Sequence, residues 1–266
     1  MKDFKINSWN ELQDLLFAGS WSEGLQRYRS PFLFRGLSNK DYKLETTLMR
    51  LGGPYDKLEH HLLRNFRKYA PRIFEQEGSI WNWLFIAQHH GLPTRLLDWT
   101  YSPLVAMHFA TADTNKFDVD GAIWKVNYLA VHEYLPEALK STLSEVNAYA
   151  FDVQMLTNTV NSLTDLDTLS PSVFALFFEP PSMDDRIVNQ FALFSIMSNA
   201  SSRFDSWLEE RANEVPWIME RIVIPASVKW EIRDKLDQSN MTERVFFPGL
   251  DGLSAWLKRS YSPKKN

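Results

Sequence analysis

The chain has 266 residues, 44% hydrophobic and 23% charged, a composition that suits an ordinary soluble globular protein with a sizeable core. It contains no cysteine, which excludes disulfides, thiolate nucleophiles and cysteine-held metals. A formal charge of −4 gives no general pull toward nucleic acid or an anionic membrane, and no apolar run approaches the ~20 residues that span a bilayer.

Residues 1–6 lack the long apolar core of a signal peptide, so the expected location is cytoplasmic. Ser8 and Glu11 form a capping-box pattern ahead of Leu12, Leu15, Leu16 and Phe17, which predicts a helix over 8–18. Phe32, Leu33 and Phe34 form an apolar run ending at Arg35-Gly36, read as a strand and turn. Residues 56–70 read as a helix with Leu58, Leu62, Phe66 and Tyr69 on one stripe, stopped by Pro71. A second capped helix runs from Ser79 to Gly91-Leu92-Pro93, and Ser102-Pro103 marks a third start. Strands are predicted at 121–126, 173–178, 190–196, 218–224 and 244–247, with helices near 227–238 and 251–259. Residues 140–170, poor in apolar anchors, read as a mobile insertion, and 262–266 as a frayed tail. Helices early and strands late imply an α+β fold.

The chemistry concentrates in 88–100, Gln-His-His-Gly-Leu-Pro-Thr-Arg-Leu-Leu-Asp-Trp-Thr, and in Phe34-Arg35-Gly36. An arginine at a strand end presents a planar, always-charged fork suited to phosphate or carboxylate, and Gly36 allows close approach. The bland alternative for Arg35 is a structural salt bridge with Asp98. Asp98 and Thr100 precede a helix start, where they either cap it or line a pocket for an anionic or hydroxylated ligand. Trp99 offers a stacking face. His89 and His90 diverge by roughly 100° on a helix and cannot share a metal as an i, i+4 pair does. One of them serves as general base or donor in the cleft, or one packs while the other meets solvent. Arg186 and Gln190 project into a cleft or sit solvated at a strand edge. Asp251 fits an N-cap.

These segments resemble the FRG domain, named for its Phe-Arg-Gly. The resemblance rests on Phe34-Arg35-Gly36 with Tyr42, Leu44, Leu48 and Arg50, and on the block at 88–100 with Pro103-Leu104-Val105-Ala106. Two further blocks are similar, Arg186, Gln190 and Phe194, then Phe247-Pro248 with Leu250 to Leu253. A single domain with its core over about 30–257 is expected. The family has Gln after Phe-Arg-Gly where this chain has Leu37, and Gly in the third block where it has Ala192.

A weaker resemblance to ADP-ribosyltransferases implies small split antiparallel sheets around a nucleotide cleft, with NAD as substrate and no metal. Arg35 matches the arginine that holds NAD phosphates there, and Thr100, Ala106, Phe109 and Ala110 match the strand and helix that follow. Gln190 stands where the family has a late Glu, and a neutral amide stabilises an oxocarbenium-like centre far less than a carboxylate. On this reading Arg35, Asp98, Gln190 and His90 are catalytic. Arg35, Gly36, His89, Arg95, Trp99, Thr100 and Arg186 bind the nucleotide. A protein or nucleic-acid target, no membrane, and a setting in bacterial conflict such as phage defence complete what the resemblance implies. The alternative is a non-catalytic module recognising a nucleotide, nucleic acid or protein through the same cleft.

Overall fold

The computed structural model describes residues 3–70, 78–182 and 185–263. Its strands are β1 (Asp3–Lys5), β2 (Trp21–Ser22), β3 (Arg27–Tyr28), β4 (Phe32–Leu37), β5 (Leu96–Thr100), β6 (Gly121–Asn127), β7 (Ala175–Phe178), β8 (Ala192–Met197) and β9 (Met219–Ile224). The helices are α1 (Trp9–Phe17), α2 (Tyr55–Tyr69), α3 (Ile80–His89), α4 (Pro103–Ala110), α5 (Tyr128–His132), α6 (Glu137–Glu145) and α7 (Val153–Thr159). They continue as α8 (Leu163–Thr168), α9 (Asp185–Gln190), α10 (Phe204–Arg211), α11 (Ala226–Gln238), α12 (Glu243–Phe246) and α13 (Leu250–Ser260). Ser8, Ser79 and Ser102 cap α1, α3 and α4 through their side chains, as their positions in the sequence predict.

Seven strands form one sheet in the order β1-β9-β6-β4-β5-β8-β7, antiparallel except for the parallel β1–β9 pair. The small hairpin β2–β3 stands apart. A mixed α/β fold is therefore present, but the expected small split sheets are replaced by one continuous sheet. Its weak point is central. β4 pairs with β6 along its whole length, yet meets β5 only at Phe34 opposite Thr100. Beyond that pair the two strands part.

Because side chains alternate along a strand, each half of the sheet feeds two layers. Leu33, Leu97, Trp99, Trp124, Val126, Phe177 and Leu193 pack on one face under α5 and α10. On the other face, Phe32, Phe34, Ile123 and Ile222 meet α1, α4 and α11. Leu96, Leu176, Phe194 and Ile196 meet the second helical group of that face, α2, α3 and α6 to α8. That face therefore carries two helical groups with the parting of β4 and β5 between them.

Three expectations are corrected. Helices do not lie mainly in the first half, since α6 to α13 all follow residue 136. Residues 140–170 fold into most of α6 and into α7 and α8, burying Leu143, Phe151, Leu156, Leu163 and Leu166. The scattered polar residues that suggested a loop are caps: Asp152 accepts from the Met155 N–H at 2.7 Å and Ser162 from Asp165 at 3.0 Å. Residues 244–247 fall in helix α12 and its C-cap rather than a strand, because Phe246 buries its ring 4.6 Å from that of His108. Pro71 and residues 264–266 lie outside the described residues.

Candidate functional site

The parting of β4 and β5 opens a cavity of about 210 Å³. Its floor comes from one face of the paired strands β5 and β8, where Asp98 sits opposite Phe194 and Thr100 opposite Ala192. α3 supplies Phe85, Gln88 and His89, spaced i, i+3, i+4 and so on one helix face. α4 supplies Phe109, and Arg186, Ile187 and Gln190 of α9 close the lip.

Arg35 stands where the ladder stops. Its Nη1 donates to the main-chain carbonyl of Asp98 and lies 3.6 Å from that residue's Oδ2. The guanidinium thus bridges two strands that no longer exchange main-chain bonds. Burial lowers the Arg35 pKa; Asp98 acts against this and Arg50 adds to it. Its Nε is buried with no acceptor, a donor the protein leaves open.

Asp98 is the accessible partner, its side chain 58% exposed. The Gln88 amide holds it from behind, Nε2 donating to Oδ1 at 3.2 Å and to Oδ2 at 3.3 Å, while Thr94 Oγ1 donates to Gln88 Oε1 at 2.5 Å. Asp98 is the one carboxylate among the described residues lining the cavity. Thr100 donates its hydroxyl to the Gln190 carbonyl at 2.7 Å and receives the Ser102 N–H at 3.0 Å, so it staples the floor to the lip.

Several expected site residues have other surroundings. Arg95 is buried outside the cavity, its guanidinium held by Glu59 (Nε to Oε2, 2.6 Å) and by Asp167. Trp99 borders the cavity, but its indole belongs to the opposite layer by strand alternation; it donates to Ser195 Oγ at 2.9 Å and packs edge-on against Phe177 and Phe204, so it offers no stacking face. His90 is exposed beside a separate groove with Leu58, Leu62 and Phe66, whereas His89 lines the cavity. Gln190 ends α9 rather than opening a strand, and its Nε2 donates to the Phe246 carbonyl at 2.9 Å. Gly36 serves helix packing, since a Cβ there would lie 1.9 Å from the Ala106 carbonyl oxygen. Arg186 is exposed at the lip, 5.0 Å over the Phe247 ring. Asp251 lies inside the first turn of α13, and Gly249 is its N-cap.

Sequence reading missed Gln88, Phe85 and Phe194. The helical spacing of Phe85, Gln88 and His89 would have found the first two. Phe194 needs the β5–β8 register, which only the fold supplies.

The FRG domain model matches residues 30–119. These residues form an FRG domain. The match takes in the Phe-Arg-Gly strand and the whole block from Gln88 to Ala106, hence the β4–β5 parting, α3 and α4. The lip residues Arg186 and Gln190 and the segment after Phe247 lie beyond it. The FRG segment holds two central strands joined by a single residue pair, so β6 and β8 from later in the chain complete its sheet on either side. No curated protein and no solved structure matches the chain. Among the described residues no group of His, Asp and Glu could hold a metal ion, and no helix is long and apolar enough to cross a membrane.

Proposed function

We propose that the cleft of this FRG protein binds a nucleotide, with NAD as substrate, and cleaves it in the manner of an ADP-ribosyltransferase or NAD glycohydrolase. The observation that carries this reading is a half-buried guanidinium with its Nε unpaired at the parting of two strands, facing one accessible carboxylate in an aromatic-walled cavity. Arg35 would take a phosphate oxygen, exchanging the Asp98 carbonyl for a charge-assisted bond. Phe85, Phe109 and Phe194 supply ring-sized apolar walls. At about 210 Å³ the cavity is smaller than the usual pocket of ~300–1,000 Å³, so it takes one ring or one ribose phosphate. The rest of a dinucleotide would lie along the mouth past Arg186.

In the reaction, the bond from ribose C1′ to the nicotinamide nitrogen breaks and its electron pair leaves with nicotinamide. A nucleophile oxygen then adds to C1′ and loses its proton. Asp98 is positioned to offset the positive charge that builds on the ribose. Gln190 does not take that role in this reading, because its amide is held by the Phe246 carbonyl. That neutral, occupied residue is also the observation favouring the second reading, a module that binds a nucleotide without turning it over.

Incubation with labelled NAD separates the two. Release of nicotinamide by the wild type, cut at least about a hundredfold in Asp98→Asn, supports the enzyme. Stabilisation of the fold by NAD without release supports the binding module. If NAD and ADP-ribose neither react nor raise the melting temperature, the nucleotide reading fails.

A further inference from the structure

Outside the cleft, one helix has a charge pattern unlike the rest of the chain. α2 presents Lys57, His60, His61, Arg64, Arg67 and Lys68, all exposed, although the whole protein carries a net charge of −4. At 100° per residue these six fall within an arc of about 120°, a straight stripe along the helix. Of its two acids, Asp56 is in the first turn, and Glu59 is buried against Arg95. Arg64, Arg67 and Lys68 border a groove of about 520 Å³ whose other wall is Ile80 and Trp83 of α3, with the Arg67 guanidinium 5.3 Å over the Trp83 ring. Among the described residues none of these three cations has an ion-pair partner.

We propose that α2 docks the phosphate backbone of a nucleic acid along this stripe. From Lys57 to Lys68 the helix spans about 16 Å, which matches roughly five phosphates of one strand at ~3.4 Å each. The neighbouring apolar residues favour nucleic acid over a lipid surface. A helix that lies in a membrane turns its apolar side outward between flanking cations. Here Leu58, Leu62 and Phe66 are half-buried, in a groove with Ile86 and Leu92, and of that apolar stripe Tyr69 alone is exposed, at the end of the helix, whereas all six basic residues are exposed. The same α3 that walls the basic groove at Trp83 reaches the cleft at Gln88 and His89, so a bound strand would run close to the candidate site.

The test is fluorescence anisotropy of labelled single-stranded and duplex oligonucleotides over a range of salt, with flotation on phosphatidylserine vesicles in parallel. Wild type binds oligonucleotide at low salt, with log affinity falling linearly in log salt. Arg64→Gln/Lys68→Gln loses about tenfold in affinity and flattens the slope by roughly one to two, as expected for two lost phosphate contacts. Arg64→Lys keeps the charge and the slope. Both side chains are exposed, so melting temperature and any response to NAD stay as in the wild type. Absence of oligonucleotide binding at low salt, an unchanged slope in the double variant, or binding to vesicles alone would overturn the proposal, and none of these results bears on the cleft.

Discussion

Two arginines of the FRG segment, Arg35 and Arg95, show how environment assigns a residue its role. Arg95 ends in a dry box, 1% exposed against a Glu59 that is fully buried, and breaking such a pair leaves an uncompensated buried charge. Arg35 is 18% exposed, borders a cavity and keeps an unsatisfied donor. Gly36, beside it, fixes the wall. A methyl there would meet the Ala106 carbonyl oxygen at 1.9 Å and the Ala110 nitrogen at 2.7 Å, both main chain and unable to move alone. Gly36→Ala is expected to cost about 3 kcal/mol or more in urea unfolding, by forcing α4 off β4. A cost under about 1 kcal/mol would mean the helix is not seated there. At this scale the sequence was legible in kind more than in place. Phe-Arg-Gly and Asp98 border the cavity, and so does Trp99, but alternation from Asp98 turns its indole to the other face. His89 replaces His90 by the 100° step of a helix.

At the scale of elements, the lip of the cleft hangs on the end of the chain. Arg259 of α13 forks onto Glu243 (2.6 and 2.8 Å) and onto Asp237 (2.7 and 2.7 Å). α12, anchored by Glu243, then receives Asn189 at the Val245 carbonyl and Gln190 at the Phe246 carbonyl. Arg259→Gln takes the ion-pair partner from Glu243 and leaves Asp237 with Arg233 alone, at 3.4 Å. It is expected to raise amide hydrogen exchange in α12, α13 and residues 188–191, while β6 and β9 keep their protection. Unchanged exchange at Gln190 and Phe191 would show that the lip stands without this support. This dependence explains why α12 was misread. Val245, Phe246 and Phe247 are a short apolar run that periodicity cannot assign, and the Glu243 to Arg259 pairing that holds it helical joins positions 16 residues apart. The helices capped by Ser8, Ser79 and Ser102 carry their start signals locally and were found, whereas the Asp152 and Ser162 caps of α7 and α8 sit among too many polar residues to stand out.

The whole molecule carries two neutral histidines in its interior. His132 accepts the Phe177 N–H at Nε2 (3.0 Å), so its Nδ1–H donates to the Tyr149 carbonyl (3.0 Å), and burial pushes its pKa down to about 4. Burial, with Arg233 beside it, pushes His108 down to about 3. The unfolded chain takes up both protons near pH 6.5, while the folded chain resists until pH 4 and 3. Stability is therefore full above pH 6.5 and falls as pH drops, by about 1.4 kcal/mol per unit for each histidine. Urea titrations at pH 7 and pH 5 should differ before the carboxylates titrate; equal stability at both would contradict the buried neutral assignment. The central claim concerns the space over the β4–β5 parting, and isothermal titration of NAD into wild type and Arg35→Ala tests it most directly. Saturable binding that weakens at least about tenfold in Arg35→Ala, the loss of one charge-assisted fork, is the expected result. Equal affinity in both proteins, or no heat in either, would contradict it.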